Sequence, residues 1–252
     1  MRSILLRGLC ALLLFVLSPL LSVNQSAPSS TPPKASEPLL LHQFEDKYRK
    51  AASLEVTFLE RYSESGHVLR TESGTAYFRR PGKMRWEYEA PEKNLFLVDG
   101  KSAWFYVPGD HTVTRVPAKQ STDWRTPLAL LAGEMKLSRI CVRVDLASTE
   151  KPEKDGDVVL SCLLKGSETK ADQTARNEAV HAKRDLLILE VAQDTSELVR
   201  IVVRWSGGVD IEFKFKDWHF NPAVPDSFFR FEIPPGVAIV NGELPSEGQS
   251  EK

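Results

Sequence analysis

Cysteine is scarce: the 252 residues contain three, and Cys10 lies inside an apolar N-terminal run. A disulfide-dense scaffold is therefore excluded. The chain has no HExxH, no CxxC and no G-x-S-x-G. It has no Walker A either, because Leu95 stands where the glycine ahead of Gly100-Lys101-Ser102 would be. The histidines, at 42, 67, 111, 181 and 219, are dispersed without metal-ligand spacing and read as surface or turn residues. Acidic residues are plentiful but alternate with apolar ones or sit in loops, so no catalytic carboxylate pair can be nominated. With 33 basic against 34 acidic residues the formal charge is -1, which is not the balance of a nucleic-acid binder. Nothing after the N-terminus approaches the length of a membrane-spanning helix. An enzyme has no residue set to rest on here, and no cofactor or metal is implied.

What is present begins with an address. Arg2 and Arg7 flank an apolar run from Leu9 to Leu17, extended past Pro19 to Leu21, and small or polar residues follow from Ser22 to Ala27. Residues 1–27 read as a secretory signal peptide. The alternative, an uncleaved anchor, needs a longer run than this one, and Pro19 interrupts it. Residues 28–38, rich in Ser and Pro, read as a flexible leader. One globular domain is expected over 39–240, followed by a polar, disordered tail over 241–252.

After processing, only Cys141 and Cys162 remain, and in an oxidising compartment an even pair is a disulfide candidate. They fall on two expected strands, about equally far from the turn-rich 151–157 stretch between them. Directly opposed residues on such strands are close enough to bridge. Alternation argues the other way: Cys141 shares its face with Arg143 and Asp145, whereas Cys162 shares its face with Val158, Leu160 and Leu164.

The Ser36-Glu37-Pro38 triplet reads as a helix start, with Leu41, Phe44, Tyr48 and Ala52 recurring at helical spacing behind it. From Leu54 the period becomes two, with Leu54, Val56, Phe58 and Tyr62 on one face. Further short runs are 74–79, 84–88, 95–98, 103–107, 112–116, 140–146, 158–164, 186–191, 198–205, 209–215 and 228–233. Asp99-Gly100 is a strong hairpin signal. About eleven strands at this spacing predict a mainly β, antiparallel sandwich or barrel. The stretch 165–183 is polar and reads as a loop. One segment breaks the β pattern: Thr126-Pro127-Leu128-Ala129-Leu130-Leu131-Ala132-Gly133 has a cap candidate, Pro at the first helical position and Gly at the end.

Large side chains at Trp86, Tyr88, Trp104 and Tyr106 are explained by composition alone as an ordinary packed core. The mid-chain helix changes the weighing. Leu128, Leu130 and Leu131 must be buried somewhere, and a sheet closed on its own core has no place for them. Covering an open mouth gives them one.

The ordered set Gly74, Arg80-Pro81, Trp86, Pro91, Asp99-Gly100, Trp104-Phe105-Tyr106 and Thr126-Pro127, closed by Phe231 and Pro234-Pro235-Gly236-Val237, resembles the LolA family of outer-membrane lipoprotein carriers. The likeness runs from about Leu39 to Val240. It implies an incomplete, half-open antiparallel β-barrel covered by a short helical lid over an apolar cavity. It also implies a periplasmic, non-enzymatic monomer. Such a protein takes acylated lipoproteins from an inner-membrane lipoprotein-releasing ABC transporter and passes them to an outer-membrane receptor. Arg80 matches the family arginine that bonds to lid backbone in the closed state, and Thr126-Pro127-Leu128 matches the start of the lid. Candidates for cavity or lid lining are Met84, Trp86, Leu128 and Leu131, with Phe44 and Tyr48 from the first helix. The long 165–183 stretch and the cysteine pair depart from the family pattern. Two other readings stay open: a carrier or sensor of another lipid on the same scaffold, and a regulatory protein-binding domain.

Overall fold

The structure, a computed structural model, describes residues 37–118, 128–133, 136–147, 149–165 and 185–241. The expectations for the signal peptide, most of the leader, the 165–183 loop and the tail fall on residues outside these ranges, apart from the ends of each stretch. Helix α1 spans Glu37–Lys50 and so begins within the expected leader. Strands β1 (Ser53–Glu64), β2 (His67–Arg79), β3 (Lys83–Ala90), β4 (Leu95–Val98), β5 (Ser102–Val107) and β6 (Thr112–Pro117) follow. Helix α2 is the short Ala129–Ala132 turn. Strands β7 (Cys141–Leu146), β8 (Val158–Leu164), β9 (Leu186–Val191), β10 (Leu198–Arg204), β11 (Val209–Phe220) and β12 (Ala238–Asn241) complete the chain.

Among the described residues, twelve strands join one unclosed sheet, in the order β12-β6-β5-β4-β3-β2-β1-β11-β10-β9-β8-β7. Every neighbour is antiparallel except β12, which runs parallel to β6 at one edge. Alternation runs through β1, over 72–79 of β2 and over 211–215 of β11. Leu54, Val56, Phe58, Glu60 and Tyr62 are buried while the residues between them are half-buried. Gly100, with φ +93°, makes the β4–β5 turn that Asp99-Gly100 foretells. Gly74 has a different reason to be glycine. A Cβ there would lie 1.9 Å from the Glu87 carbonyl oxygen, because β2 and β3 approach closely at a register shift.

The inner face of the sheet carries one large core. Met84 and Trp86 of β3, Phe58 of β1, Phe78 of β2 and Phe213 of β11 belong to it, as do Leu40, Phe44 and Tyr48 of α1. The buried stripe of α1 is shifted from the expected one: Leu40 and Ala51 are buried, Leu41 is half-buried and Ala52 is exposed. Burying a side chain of this kind stabilises the fold by about 1.5–3 kcal/mol.

Three expectations need correction. Strand 228–233 does not form; Asp226–Phe229 is a 3₁₀ turn and the chain beyond it crosses the outer face of the sheet. Pro222, Pro225, Pro234 and Pro235 remove backbone donors along this stretch, so its aromatic residues pack against the sheet instead of joining a ladder. The strand comes later, as β12. Second, Trp104 and Tyr106 do not face the core. They lie on the outer side with Leu97 and Val113, beneath Phe231 and Val237. Third, the cysteines are bridged but not directly opposed. Cys141 pairs with Leu164 and Cys162 with Val144, their Cα atoms being 5.4 Å apart. A register shift between Cys141 and Arg143 turns Cys141 inward while Arg143 and Asp145 stay outward. An unbroken period of two would turn Cys141 outward with Arg143 and Asp145, and the bulge breaks that period.

Candidate functional site

Helix α2 lies on the inner side against β2 and β3. Leu128, Leu130 and Leu131 are buried in the same core as Met84 and Trp86. Thr126 and Pro127, expected to open this segment, lie outside the described residues. A four-residue helix cannot satisfy its own terminal carbonyls, so they must find donors elsewhere.

Arg80 supplies two donors at this end. At the β2–β3 turn, its Nε donates to the Gly133 carbonyl at 2.7 Å and its Nη2 to the Leu131 carbonyl at 3.4 Å. Its Nη1 donates to the carbonyl of Ala51, just past the end of α1. One guanidinium thus joins both helices that cover the inner face. The Arg80 backbone N–H adds a bond to the Ala52 carbonyl at 3.0 Å, and the Gly82 N–H bonds the Ala132 carbonyl at 2.9 Å. A cation beside the last carbonyls of a helix is a favourable arrangement. Burial pushes the Arg80 pKa down from its ordinary value. Further on, the Leu137 N–H donates to Glu45 Oε1 at 2.8 Å, tying the chain beyond α2 to α1.

The other expected residues divide into two groups. Met84 and Trp86 sit on β3, which α2 covers. Trp86 is met edge-on by Phe58 (4.8 Å between centroids), Phe213 (5.3 Å) and Phe78 (5.6 Å). Tyr48 instead packs α1 toward β10 and β11, with the Phe44 ring 5.2 Å from its own. Tyr48 meets Trp218 and Phe220, and its hydroxyl accepts the Leu198 N–H at 2.8 Å. Burial holds the Tyr48 pKa well above its usual value, so it is a neutral phenol.

Phe58 and Phe213 belong to this floor but were not singled out from sequence. For Phe213 the signal was available: Ile211, Phe213 and Phe215 alternate with Glu212, Lys214 and Lys216. Glu60 lies on the face that the period of Leu54, Val56, Phe58 and Tyr62 marks, whereas Glu72 had no such signal. They are cross-strand partners buried on the inner side, with the Tyr88 hydroxyl donating to Glu60 Oε2 at 2.9 Å. Among the described residues, no group of three or more His, Cys, Asp or Glu could hold a metal ion, and no helix is long and apolar enough to cross a membrane.

The family model described as outer membrane lipoprotein carrier protein LolA matches residues 49–232. The chain belongs to the LolA family. It is 29% identical over 210 residues to the outer-membrane lipoprotein carrier protein of Nitrosomonas europaea, spanning 83% of this chain and 91% of that one. To the carrier of Chromobacterium violaceum it is 31% identical over 171 residues, covering 68% and 73% respectively. Among solved structures, an uncharacterised conserved protein from Thermus thermophilus superposes with a TM-score of 0.48 at 14% identity, covering 81% of this chain and 97% of that one. A LolA superfamily protein from Nitrosomonas europaea gives 0.40 at 11% identity, with 78% and 98% covered. The unclosed β sheet and its short helical cover are those expected of a LolA protein.

Proposed function

We propose that this LolA protein shields the acyl chains of lipoproteins on their way through the periplasm. It receives them from an inner-membrane lipoprotein-releasing ABC transporter and hands them to an outer-membrane receptor. In this reading residues 1–27 direct export and are removed, 39–240 form a monomeric carrier domain, and no residue is catalytic. The observation that carries it is the seat of α2. Its leucines are buried in the same core as Met84 and Trp86, yet its polar attachment converges on Arg80 and the nearby Gly82 N–H.

The chemistry of handover follows from that arrangement. Each buried methylene of an acyl chain contributes about 0.8 kcal/mol, so a fully enclosed chain would never leave. When α2 lifts, an acyl chain takes the place of Leu128 and Leu131 on the inner face, and apolar surface is buried in both states. The lost bonds from Arg80, about 1.5–3 kcal/mol for a charged donor, set the bias between them. This is a two-state element shifted by its ligand. The test is native mass spectrometry of the protein purified from its own envelope. A diacylated or triacylated lipoprotein adduct is expected; other lipids, or a protein partner without lipid, would overturn the reading.

A further inference from the structure

Among the tryptophans of the described residues, Trp86 is set apart by its N–H. Trp104 Nε1 donates to Asp99 Oδ2 at 3.2 Å and Trp218 Nε1 to the Leu198 carbonyl at 2.8 Å. Trp205 is only half-buried. Trp86 is fully buried, at 0% exposure, and its Nε1 has no acceptor among the described residues. Other polar handles of the inner side are engaged: the Tyr88 hydroxyl meets Glu60, and the Tyr48 hydroxyl meets the Leu198 N–H.

An unmet buried donor is costly, and such groups are rare in native proteins. Packing does not require one here. Trp86 is ringed by Phe58, Phe78 and Phe213, and faces the small Ala76 across the β2–β3 ladder. A phenylalanine would satisfy that company without the penalty. The donor sits on β3, one of the two strands that α2 lies against, in the same core as Leu128, Leu130 and Leu131, so a ligand displacing α2 enters the core that holds it. An aliphatic tail offers no acceptor. The carbonyl at the head of an ester- or amide-linked acyl chain does.

We infer that Trp86 is a specificity residue whose indole N–H bonds the acyl carbonyl of the cargo, selecting ester- or amide-linked chains over ether-linked or plain alkyl ones. This rests on the acyl-carrier reading above. The arrangement is differential: in the closed protein the donor has no acceptor among the described residues, and the cargo supplies one. Its cost in the empty state therefore becomes affinity for cargo with the right linkage.

Two probes decide it: a peptide carrying a dipalmitoyl-glyceryl cysteine, and its dialkyl-ether twin of equal chain length. The secreted protein should bind the ester about five- to tenfold more tightly, the range expected for one buried hydrogen bond. Trp86→Phe should bind the two alike, with a melting temperature no lower than wild type. In ¹⁵N-labelled wild type, the Trp86 indole signal should move with the ester and stay with the ether. That measurement alone decides the matter should Trp86→Phe fail to fold. Binding of neither twin overturns the carrier reading and this inference with it. Equal binding of both, an ester preference that survives Trp86→Phe, or an indole signal indifferent to the ester leaves the carrier standing and overturns the role of Trp86.

Discussion

The sheet is covered on both sides, but by different means. Inside, the four residues of α2 rest on apolar contacts, with backbone bonds that converge on Arg80 and Gly82. Outside, the C-terminal segment is fastened along its length. Phe228 meets Tyr77 and Arg85, Phe229 is buried, Phe231 packs on Trp104 and Tyr106, and β12 is hydrogen-bonded to β6. A second outer cover, the β7–β8 connection, is pinned by charge. Arg200 bonds Glu190 at 2.8 Å, Glu212 at 3.4 Å and the Lys151 carbonyl at 3.2 Å. Glu190 accepts the Glu153 N–H at 2.6 Å, and Lys214 bonds Glu153 at 2.7 Å. Apolar contact is non-directional, so a lipid can replace it without loss. Ring stacking, ladder bonds and a buried ion pair have no substitute of that kind. In the proposed carrier, the side with exchangeable attachments is the side that opens.

The contrast can be broken most sharply from outside. Arg200→Leu strands the Glu190 carboxylate, which is fully buried. It should cost about 3–5 kcal/mol of global stability, read by denaturant unfolding, while hydrogen exchange of 128–133 relative to the global rate stays unchanged. Exchange that rises selectively at 128–133 would show the two covers to be coupled. Removing the disulfide, with both Cys141 and Cys162 changed to Ser, opens a loop of 21 residues. It should lower stability by about 3 kcal/mol, fraying β7 at its sheet edge without affecting α2.

Arg80→Leu tests the inner cover. It should destabilise the closed position of α2 by about 2 kcal/mol, seen as faster exchange at 128–133 and poorer delivery to the receptor. A variant with unchanged exchange and delivery would show that Arg80 is not the latch. The smallest effect belongs to Asp99 at the β4–β5 turn. Burial tends to raise its pKa, but the N–H groups of Ser102 and Lys101, the Trp104 indole and nearby Arg115 outweigh it, and the net shift is downward. A depressed carboxylate stabilises the fold above the ordinary carboxylate range and loses that contribution as pH falls through its lowered value. Asp99→Asn should therefore cost under about 1 kcal/mol at neutral pH and nothing once the wild-type carboxyl is protonated, while acyl binding stays constant.

Local patterns carried far in this chain. Alternation in β1, the Asp99-Gly100 turn and the start of α1 were each legible because a few adjacent residues settle them. The face of an aromatic strand was not. Trp86 lies on a run that alternates with Arg85 and Glu87, Trp104 on a continuously apolar one, 103–107; the first faces the core and the second lies under the C-terminal segment. Register across neighbouring strands decides that, and no single strand contains it. The cysteine pair was open for a related reason: a single-residue bulge reverses a face and leaves no mark in composition.

By itself the sequence determined a β protein of short strands, an interrupting leucine-rich helix and a family, because periodicity, turn chemistry and motif order are properties of neighbours along the chain. Only the tertiary structure decided that Arg80 gathers carbonyls from residues 51, 131 and 133, and that Trp86 is buried with no acceptor for its N–H among the described residues. Those are facts about which distant atoms meet, and such meetings are set by the packing of the whole sheet.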